Sequence, residues 1–306
     1  MTLIRTFLDD QFEYIWGPDA EPASTEKHAN ESKNKVERFL AFGDNAAKHL
    51  EDITASDIID FCRAIKREGN LSVKTLNRYR SAIGSLFTAA EKYGTISTDD
   101  RPRMDYSKEI TQKPRYFTLS EIVQITEYLE NQPEQWLLHL FTIGHLTGMR
   151  VSEIWRTTKE DLIYLDDEFG FATPHVRVTN TKNGFDREVP LSEEALAAFE
   201  AANWEFPKSK ATSRYSGGKM PMTTYRRVWA EIRCKIGRGD PRVMMKQTRH
   251  TAASALCNEI GANVMLVADI LGHKDIKTTQ KYVHAKTGTM AGIVGRLSQR
   301  VPQTKQ

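Results

Sequence analysis

The stretch LGHKDIKTTQKYVH, residues 271–284, carries more information about this chain than any other segment. It begins at the end of one predicted helix, 263–271, and contains a second, 275–283; the apolar residues of both recur at helical spacing. It also presents one imidazole, His273, and one phenol, Tyr282. A tyrosine is usually a half-buried packing residue, so the chemistry of this one depends on what other segments bring to it.

Three other segments supply strong positive charge. Arg150 lies in TGMRVSEI, Lys182 in NTKNG, and Lys246 and Arg249 in KQTRHT. Taken singly, an arginine at a helix start or a lysine on a hairpin is explained by ordinary ion pairing and solvation. Taken together, these cations suit a phosphate group, because guanidinium grips phosphate through two hydrogen bonds and keeps its proton at neutral pH.

In their order and local context, the four segments resemble the tyrosine recombinases, the phage integrase family. In that family an arginine follows TG(L/M) and precedes (I/V)SE, a lysine sits on a β-hairpin, HxxR or KxxR opens a buried helix, and LGH precedes a tyrosine. The resemblance runs from about residue 27 to Tyr282. One departure is Lys246, where the family most often has histidine; lysine keeps a hydrogen-bond donor but lacks the near-neutral pKa of imidazole.

The resemblance implies roles for these residues. Tyr282 is expected to attack a DNA phosphodiester, forming a 3′-phosphotyrosyl link and expelling a 5′-hydroxyl. Lys182 is expected to protonate the leaving oxygen, and His273 to hydrogen-bond the phosphate. The predicted catalytic residues are Arg150, Lys182, Lys246, Arg249, His273 and Tyr282.

Neighbouring residues receive lesser roles. Glu153, three residues after Arg150, is placed to orient a guanidinium. Lys246 and Arg249 are expected to share a helix face, with His250 pointing elsewhere in a structural role. His284 is given no role.

No cofactor is expected. The chain has no HExxH, no DxD, no CxxC and no Walker-type phosphate loop, so we predict no catalytic metal. Rejoining needs no ATP, because the bond energy is kept in the phosphotyrosyl ester.

Composition excludes an integral membrane protein and a chain disordered throughout. Hydrophobic residues make up 40%, charged residues 27%, and the mean hydropathy is -0.52. No stretch approaches the ~18 apolar residues of a membrane span, and the N-terminus does not resemble a signal peptide. We therefore expect a cytoplasmic protein at the nucleoid, with no membrane partner.

Positive charge is concentrated in two segments, although the net charge is only +3. Residues 207–250 contain twelve basic and two acidic residues, and residues 61–92 contain seven basic and two acidic residues. Two basic segments in a nearly neutral chain predict two surfaces that hold a polyanion; solvated helix faces are the alternative. The predicted DNA-contacting residues are Lys74, Arg78, Arg80, Arg226 and Arg227.

The predicted fold is mainly α with a small antiparallel β-sheet. Helical periodicity in 35–42, 56–66 and 71–93 predicts a small helical domain, and TLSE at 118–121 predicts a capping box that opens a second domain. Apolar and polar residues alternate on both sides of Asn183-Gly184, which predicts a β-hairpin over 175–191. This is the only sheet evident in the sequence. Further helices are expected at 223–236, 247–260, 263–271 and 275–283.

Composition shifts and the resemblance together divide the chain into five parts. No separate arm-site DNA-binding domain is expected before the helical domain. The parts are an irregular N-terminal arm (1–24), a helical SAM-like core-binding domain (25–98), an interdomain linker (99–116), a catalytic domain (117–285) and a tail (286–306) that docks on a neighbouring protomer or packs back on its own domain.

The predicted function is site-specific DNA recombination for integration, excision or resolution by a phage or mobile element. The expected partners are double-stranded DNA with inverted-repeat core sites, a homotetramer on two such sites, and an accessory directionality factor. Two alternatives stay open: a type IB topoisomerase-like enzyme that relaxes DNA, and a catalytically silent DNA-binding regulator on the same scaffold.

Overall fold

The computed structural model describes residues 1–17, 20, 25–110, 115–166, 169–179, 186–208 and 220–283. The chain divides into two compact units, Met1–Gln112 and Lys113–Gln306. The division falls inside the predicted linker. The predicted tail, 286–306, and His284 lie outside the described residues.

The first unit is helical. Side chains that cap helix N-termini set two of its boundaries: Thr54 and Asp57 form a reciprocal capping box, and the Ser72 hydroxyl accepts from the Thr75 amide. The four helices are α1 (Ile4–Trp16), α2 (Glu26–Leu40), α3 (Ala55–Gly69) and α4 (Val73–Lys92).

The N-terminal segment is not the irregular arm that its composition predicts. Residues 4–16 form α1, which buries Ile4, Phe7, Leu8 and Trp16 in the core of the first unit. The prediction failed because DDQFEY reads as acidic and polar, whereas the apolar residues on either side of it share one helix face. Burial of that face, rather than local propensity, explains the helix.

The first half of the predicted linker belongs to the first unit. Pro102 is buried, Met104 packs against the core, and the Asn77 side-chain amide donates to the carbonyl of Ser107 at 2.8 Å. An ion pair between Arg101 and Glu91 ties the same segment to α4. The linker-like composition therefore marks a segment that lacks helical periodicity, although its first half still packs against the first unit.

The second unit combines helices with a small sheet. The predicted capping box is confirmed at its entrance, where Thr118 and Glu121 cap each other's backbone amides. Its elements are α5 (Leu119–Glu130), α6 (Gln135–Thr147), α7 (Val151–Ile154), β1 (Leu162–Asp166), β2 (Ala172–Val178), β3 (Arg187–Pro190), α8 (Glu193–Ala201), α9 (Met222–Lys235), α10 (Gln247–Asn258), α11 (Val264–Leu271) and α12 (Lys277–Gln280).

The sheet has three antiparallel strands in the order β1-β2-β3. Strands β2 and β3 confirm the predicted pairing, with Val176 opposite Val189, while the Asn183-Gly184 turn lies outside the described residues. Strand β1, which pairs antiparallel with β2, was missed because LIYLD lacks strict alternation of apolar and polar residues. The last predicted helix is also shorter than expected, and Tyr282 follows α12 instead of lying within it.

Helix α6 lies at the centre of the second core. Phe141 contacts the rings of Phe117 and Trp229, with centroids 6.0 and 6.4 Å away. Leu137, Leu140 and Ile143 on the same helix are also buried. In the part of the chain that the structure describes, no helix combines the length and apolar character needed to cross a membrane.

Helix α1 offers a stability test. We expect Leu8→Ala to lower the free energy of unfolding of the first unit by about 3 kcal/mol, because it removes buried apolar surface and leaves a cavity. Urea titration read by hydrogen exchange in α1 to α4 measures the change. Asp10→Ala, at an exposed position of the same helix, should change it by less than about 0.5 kcal/mol. If Leu8→Ala and wild type had equal free energies of unfolding, the packing of α1 would be contradicted.

Candidate active site

Two glycine turns in the second unit contact each other and position the charged groups. Gly148 ends α6 with φ 66° and Gly272 ends α11 with φ 65°, a conformation that favours glycine. A Cβ on Gly148 would lie 2.6 Å from the Leu271 side chain. The turn that carries Arg150 is therefore pressed against the turn that carries His273.

Arg249, in the first turn of α10, bridges the two turns. Its Nη1 donates to the carbonyl of Gly148 at 2.9 Å, and its Nη2 donates to the carbonyl of Leu271. Burial, followed by the nearby charge of Arg150, lowers the pKa of Arg249 to about 9. The guanidinium is still charged at neutral pH, and its two carbonyl contacts fix its orientation.

Glu153 is a buried carboxylate, 3% exposed, between two arginines. It accepts from Nη1 of Arg150 at 2.6 Å and from Nη2 of Arg187 at 2.8 Å. It also accepts from the backbone amide of Arg150 at 2.8 Å. Burial alone would raise the pKa of Glu153, but the hydrogen bonds from Arg187 and Arg150 outweigh it and lower the pKa to about 2. Glu153 thus holds the guanidinium of Arg150, which is the contact that its predicted orienting role requires.

Sequence reasoning missed Arg187, the second partner of Glu153. Its Nε donates to the carbonyl of Ile270 at 2.9 Å, and its side chain is only 8% exposed. A signal existed: Arg187 lies two positions before the buried Val189, so both side chains point to the same, core-facing side of β3. A charged residue at a core-facing strand position requires a partner.

His273 directly follows the α11 turn. Its Nδ1 is hydrogen-bonded to the Thr279 hydroxyl at 2.7 Å, and Thr279 is fully buried. Burial, followed by the charges of Arg249 and Arg150, lowers the pKa of His273 to about 4. At neutral pH the ring is uncharged; when Nδ1 accepts from Thr279, Nε2 carries a proton that it can donate to an anion.

The Tyr282 ring lies between two imidazoles. Its centroid is 5.6 Å from that of His250 and 6.5 Å from that of His273. The Asn258 amide donates to the Tyr282 carbonyl at 2.7 Å, and the residue is 5% exposed. Burial raises the pKa of Tyr282 above its ordinary 10.0, against the opposing effect of Arg249. The phenol is therefore protonated at neutral pH.

The expectation that His250 points away from the site was wrong. Its Nδ1 is hydrogen-bonded to the phenol oxygen of Tyr282. The expectation overlooked helix geometry: His250 follows Lys246 by four residues, a spacing that places side chains on one face. No local sequence signal shows which histidine meets the tyrosine, because the contact spans 32 residues.

A cavity of about 650 Å³ opens beside Arg150 and Arg249. Arg150, Lys246 and Arg249 line it together with the apolar side chains of Met149 and Trp155. Lys246 is exposed. Arg156 also lines it, and four cations on one cavity suit a phosphodiester. The remaining predicted catalytic residue, Lys182, lies outside the described residues.

The predicted DNA-contacting residues differ in exposure. Lys74 and Arg78 are exposed on α4 and Arg226 is exposed on α9. Arg227 pairs with Glu134 and Glu231. Arg80 is 8% exposed and its guanidinium donates to Asn77 at 3.1 Å, so its assignment to the surface was wrong. The helical spacing places Arg80 on the face of the buried Leu76 and Ile83.

Within the described ranges, no three His, Cys, Asp or Glu side chains converge in a way that could hold a metal ion.

Comparison with known proteins gives family matches over both units. Residues 115–288, more than half of the chain, match the phage integrase family. Residues 29–94 match the N-terminal SAM-like domain of phage integrases.

Curated relatives and solved structures agree with these matches. A tyrosine recombinase of Thermosipho africanus is 24% identical over 82% of this chain and 86% of its own length. The XerC tyrosine recombinase of Xanthomonas campestris pv. campestris is 28% identical over 85% of this chain and 80% of its own.

Two solved structures share the fold. The Tn1549 transposon integrase in complex with a circular intermediate DNA has a TM-score of 0.70 at 17% identity, covering 97% of this chain and 100% of that one. A lambda integrase dimer bound to a core site has a TM-score of 0.68 at 18% identity, covering 93% and 96%. The four motifs, the helical fold with its small sheet and the family matches agree: this chain belongs to the phage integrase family, the tyrosine recombinases.

Proposed function

We propose that this chain is a site-specific DNA recombinase that cleaves and rejoins DNA through a 3′-phosphotyrosyl intermediate, without metal or ATP. One observation carries the proposal. The phenol oxygen of Tyr282 is hydrogen-bonded to His250, the residue that follows Arg249, and Arg249 lines a cavity together with Arg150 and Lys246. A nucleophile beside a cluster of cations is what attack on a phosphodiester requires.

The cations act on the phosphate. As Tyr282 attacks phosphorus, negative charge builds up on the non-bridging oxygens, and Arg150 and Arg249 stabilise it. The positions of these groups are set before DNA binds, because Glu153 holds Arg150 and two backbone carbonyls hold Arg249. Preorganised donors of this kind need not reorient during the reaction.

Cleavage of the DNA strand exchanges one bond to phosphorus for another. The bond between the Tyr282 oxygen and phosphorus forms while the bond between phosphorus and the 5′-oxygen breaks. In this proposal Lys182 gives a proton to the 5′-oxygen, and His273 hydrogen-bonds a phosphate oxygen. A 5′-hydroxyl then attacks the phosphotyrosyl ester and restores the phosphodiester, with no net consumption of bond energy.

The proposed partner is double-stranded DNA with inverted-repeat core sites. Lys74, Arg78, Arg226 and Arg227 are proposed phosphate contacts, which set affinity and make it salt-dependent. The Tn1549 and lambda integrase structures contain transposon and core-site DNA, which supports a role on a mobile element. Assembly as a homotetramer on two sites, action in the nucleoid and control by a directionality factor complete the proposal.

Replacing the nucleophile is the first test. Tyr282→Phe should abolish covalent attachment to DNA and leave DNA affinity near that of wild type, because it removes one oxygen and no charge. Nicked duplexes of random sequence are incubated with protein, and DNA in SDS-resistant complexes is sequenced. Tyr164→Phe, at an exposed tyrosine of β1, is the matched control and should attach normally.

The trapped DNA decides between the proposal and its alternatives. A shared inverted-repeat core, trapped by wild type and Tyr164→Phe but not by Tyr282→Phe, is the expected result. Trapping without sequence preference would favour the topoisomerase alternative. Attachment by Tyr282→Phe at the wild-type level would contradict the nucleophile assignment.

Removing divalent metal is the second test. Covalent attachment should proceed in EDTA at the rate seen with added Mg²⁺, because side-chain cations supply the positive charge. A rate measured in both buffers on the same nicked duplex checks this. Activity that appears only with Mg²⁺ would contradict the proposed mechanism.

The buried carboxylate gives a third test. Glu153→Gln should lower stability at pH 7 by about 3 kcal/mol, the value of a pKa lowered from 4.5 to about 2. It should also slow cleavage by about 100-fold, because Arg150 loses its orientation. Glu188→Gln, at an exposed position of β3, is the control.

The stability difference has a defined pH window. Since the folded-state pKa of Glu153 is lowered, its stabilisation is complete above about pH 4.5 and is lost as the pH falls towards 2. Denaturant titrations of wild type and Glu153→Gln should therefore converge in that window. A difference that stayed constant from pH 7 to pH 2 would show that the charge of Glu153 is not its source.

A further inference from the structure

The phenol of Tyr282 has one identified hydrogen-bond partner in the described part of the second unit, the Nδ1 of His250. The two residues are 32 positions apart, and their ring centroids are 5.6 Å apart. Since the phenol is protonated at neutral pH, its O–H donates, so Nδ1 accepts and the ring proton lies on Nε2. This is the arrangement of a nucleophile and its base.

The surroundings keep His250 uncharged. Burial, followed by the charges of Lys246 and Arg249 on its own helix, lowers the pKa of His250 below 6.5. From the segment after α11, His273 also faces it, and that ring is itself neutral at pH 7. An uncharged imidazole can accept a proton, whereas one held as imidazolium could not.

Other titratable groups near the phenol are less suited. The Nδ1 of His273 is engaged by the Thr279 hydroxyl at 2.7 Å. Lys246 is exposed, and an ammonium has no lone pair to accept a proton. Burial raises the pKa of the Cys257 thiol, which therefore keeps its own proton.

We infer that His250 is the general base that accepts the Tyr282 proton during DNA cleavage. The inference rests on the proposed phosphotyrosyl mechanism and adds a catalytic residue to it. As the bond between the Tyr282 oxygen and phosphorus forms, the phenol proton moves to Nδ1 of His250 and the imidazole becomes imidazolium. In the rejoining step the phenolate leaves phosphorus and takes the same proton back.

With His250 as the proton acceptor, the site does not need lysine at position 246 to take the Tyr282 proton. The two residues are four positions apart around the start of α10, so both side chains reach the same side of the helix. Lys246 lines the cavity as a further cation beside Arg150 and Arg249. Anion binding and proton acceptance are thereby divided between two side chains.

The test is single-turnover covalent attachment from pH 5 to pH 9, on the duplex recovered by trapping. His250→Gln keeps a hydrogen-bond acceptor but cannot take the proton, so we expect attachment to slow about 100- to 10,000-fold and the acidic limb of the rate profile to disappear. DNA affinity and melting temperature should stay close to wild type. His139→Gln, at another half-buried imidazole whose pKa burial lowers, is the matched control and should keep the wild-type profile.

Two further measurements separate a base from a structural residue. Added imidazole should accelerate His250→Ala in proportion to its unprotonated fraction. On DNA with sulfur at the 5′-bridging position, which leaves without needing a proton, His250→Gln should stay as slow as on normal DNA. Recovery of wild-type speed on the sulfur substrate would overturn the inference, because it would place His250 on the leaving group.

The outcomes distinguish this inference from the proposed function. If wild type forms no Tyr282-linked DNA at all, the phosphotyrosyl mechanism fails and the inference fails with it. If wild type attaches through Tyr282 and His250→Gln attaches at the same rate with the same pH profile, the mechanism stands and the role of His250 is overturned.

Discussion

The buried carboxylate of Glu153, bound by two arginines, is the interaction on which the rest of the site depends. A lone carboxylate at 3% exposure would be strongly destabilising. Here the carboxylate binds Arg150 at the start of α7 and Arg187 on strand β3. Arg187 in turn donates to the Ile270 carbonyl near the end of α11. One desolvated charge thereby fixes three elements of the second unit, and it sets the position of a cation that faces the proposed phosphate.

Backbone groups complete the framework that Glu153 begins. Arg249 donates to carbonyls at both glycine turns, and a Cβ on Gly148 would lie too close to Leu271. A larger residue at position 148 would separate the turns and misplace the guanidinium. The geometry of the proposed phosphate site therefore depends on close backbone approach as well as on charge.

The same cations govern the titration of the site. Arg150 and Arg249 lower the pKa of His273, and Lys246 and Arg249 lower that of His250, in both cases after burial. Burial, together with the positive charges that we propose bind phosphate, thus keeps the two imidazoles neutral, and a neutral imidazole can donate one hydrogen bond or accept one proton. Cations that stabilise negative charge and imidazoles that transfer a proton can in this way lie side by side in one site.

The sequence by itself determined the family, the two-domain plan, most helices and the residues Arg150, Lys246, Arg249, His273 and Tyr282, because motif spacing and 3.6-residue periodicity are local properties. Only the tertiary structure decided the contacts between distant residues: Arg187 on Glu153, His250 on Tyr282, β1 beside β2, and the burial of α1 and Arg80. Each of these depends on which surfaces meet after the chain folds. The physical reason is that a side chain's spacing along the chain fixes the face it occupies, while its partner and its pKa are set by residues far away in sequence.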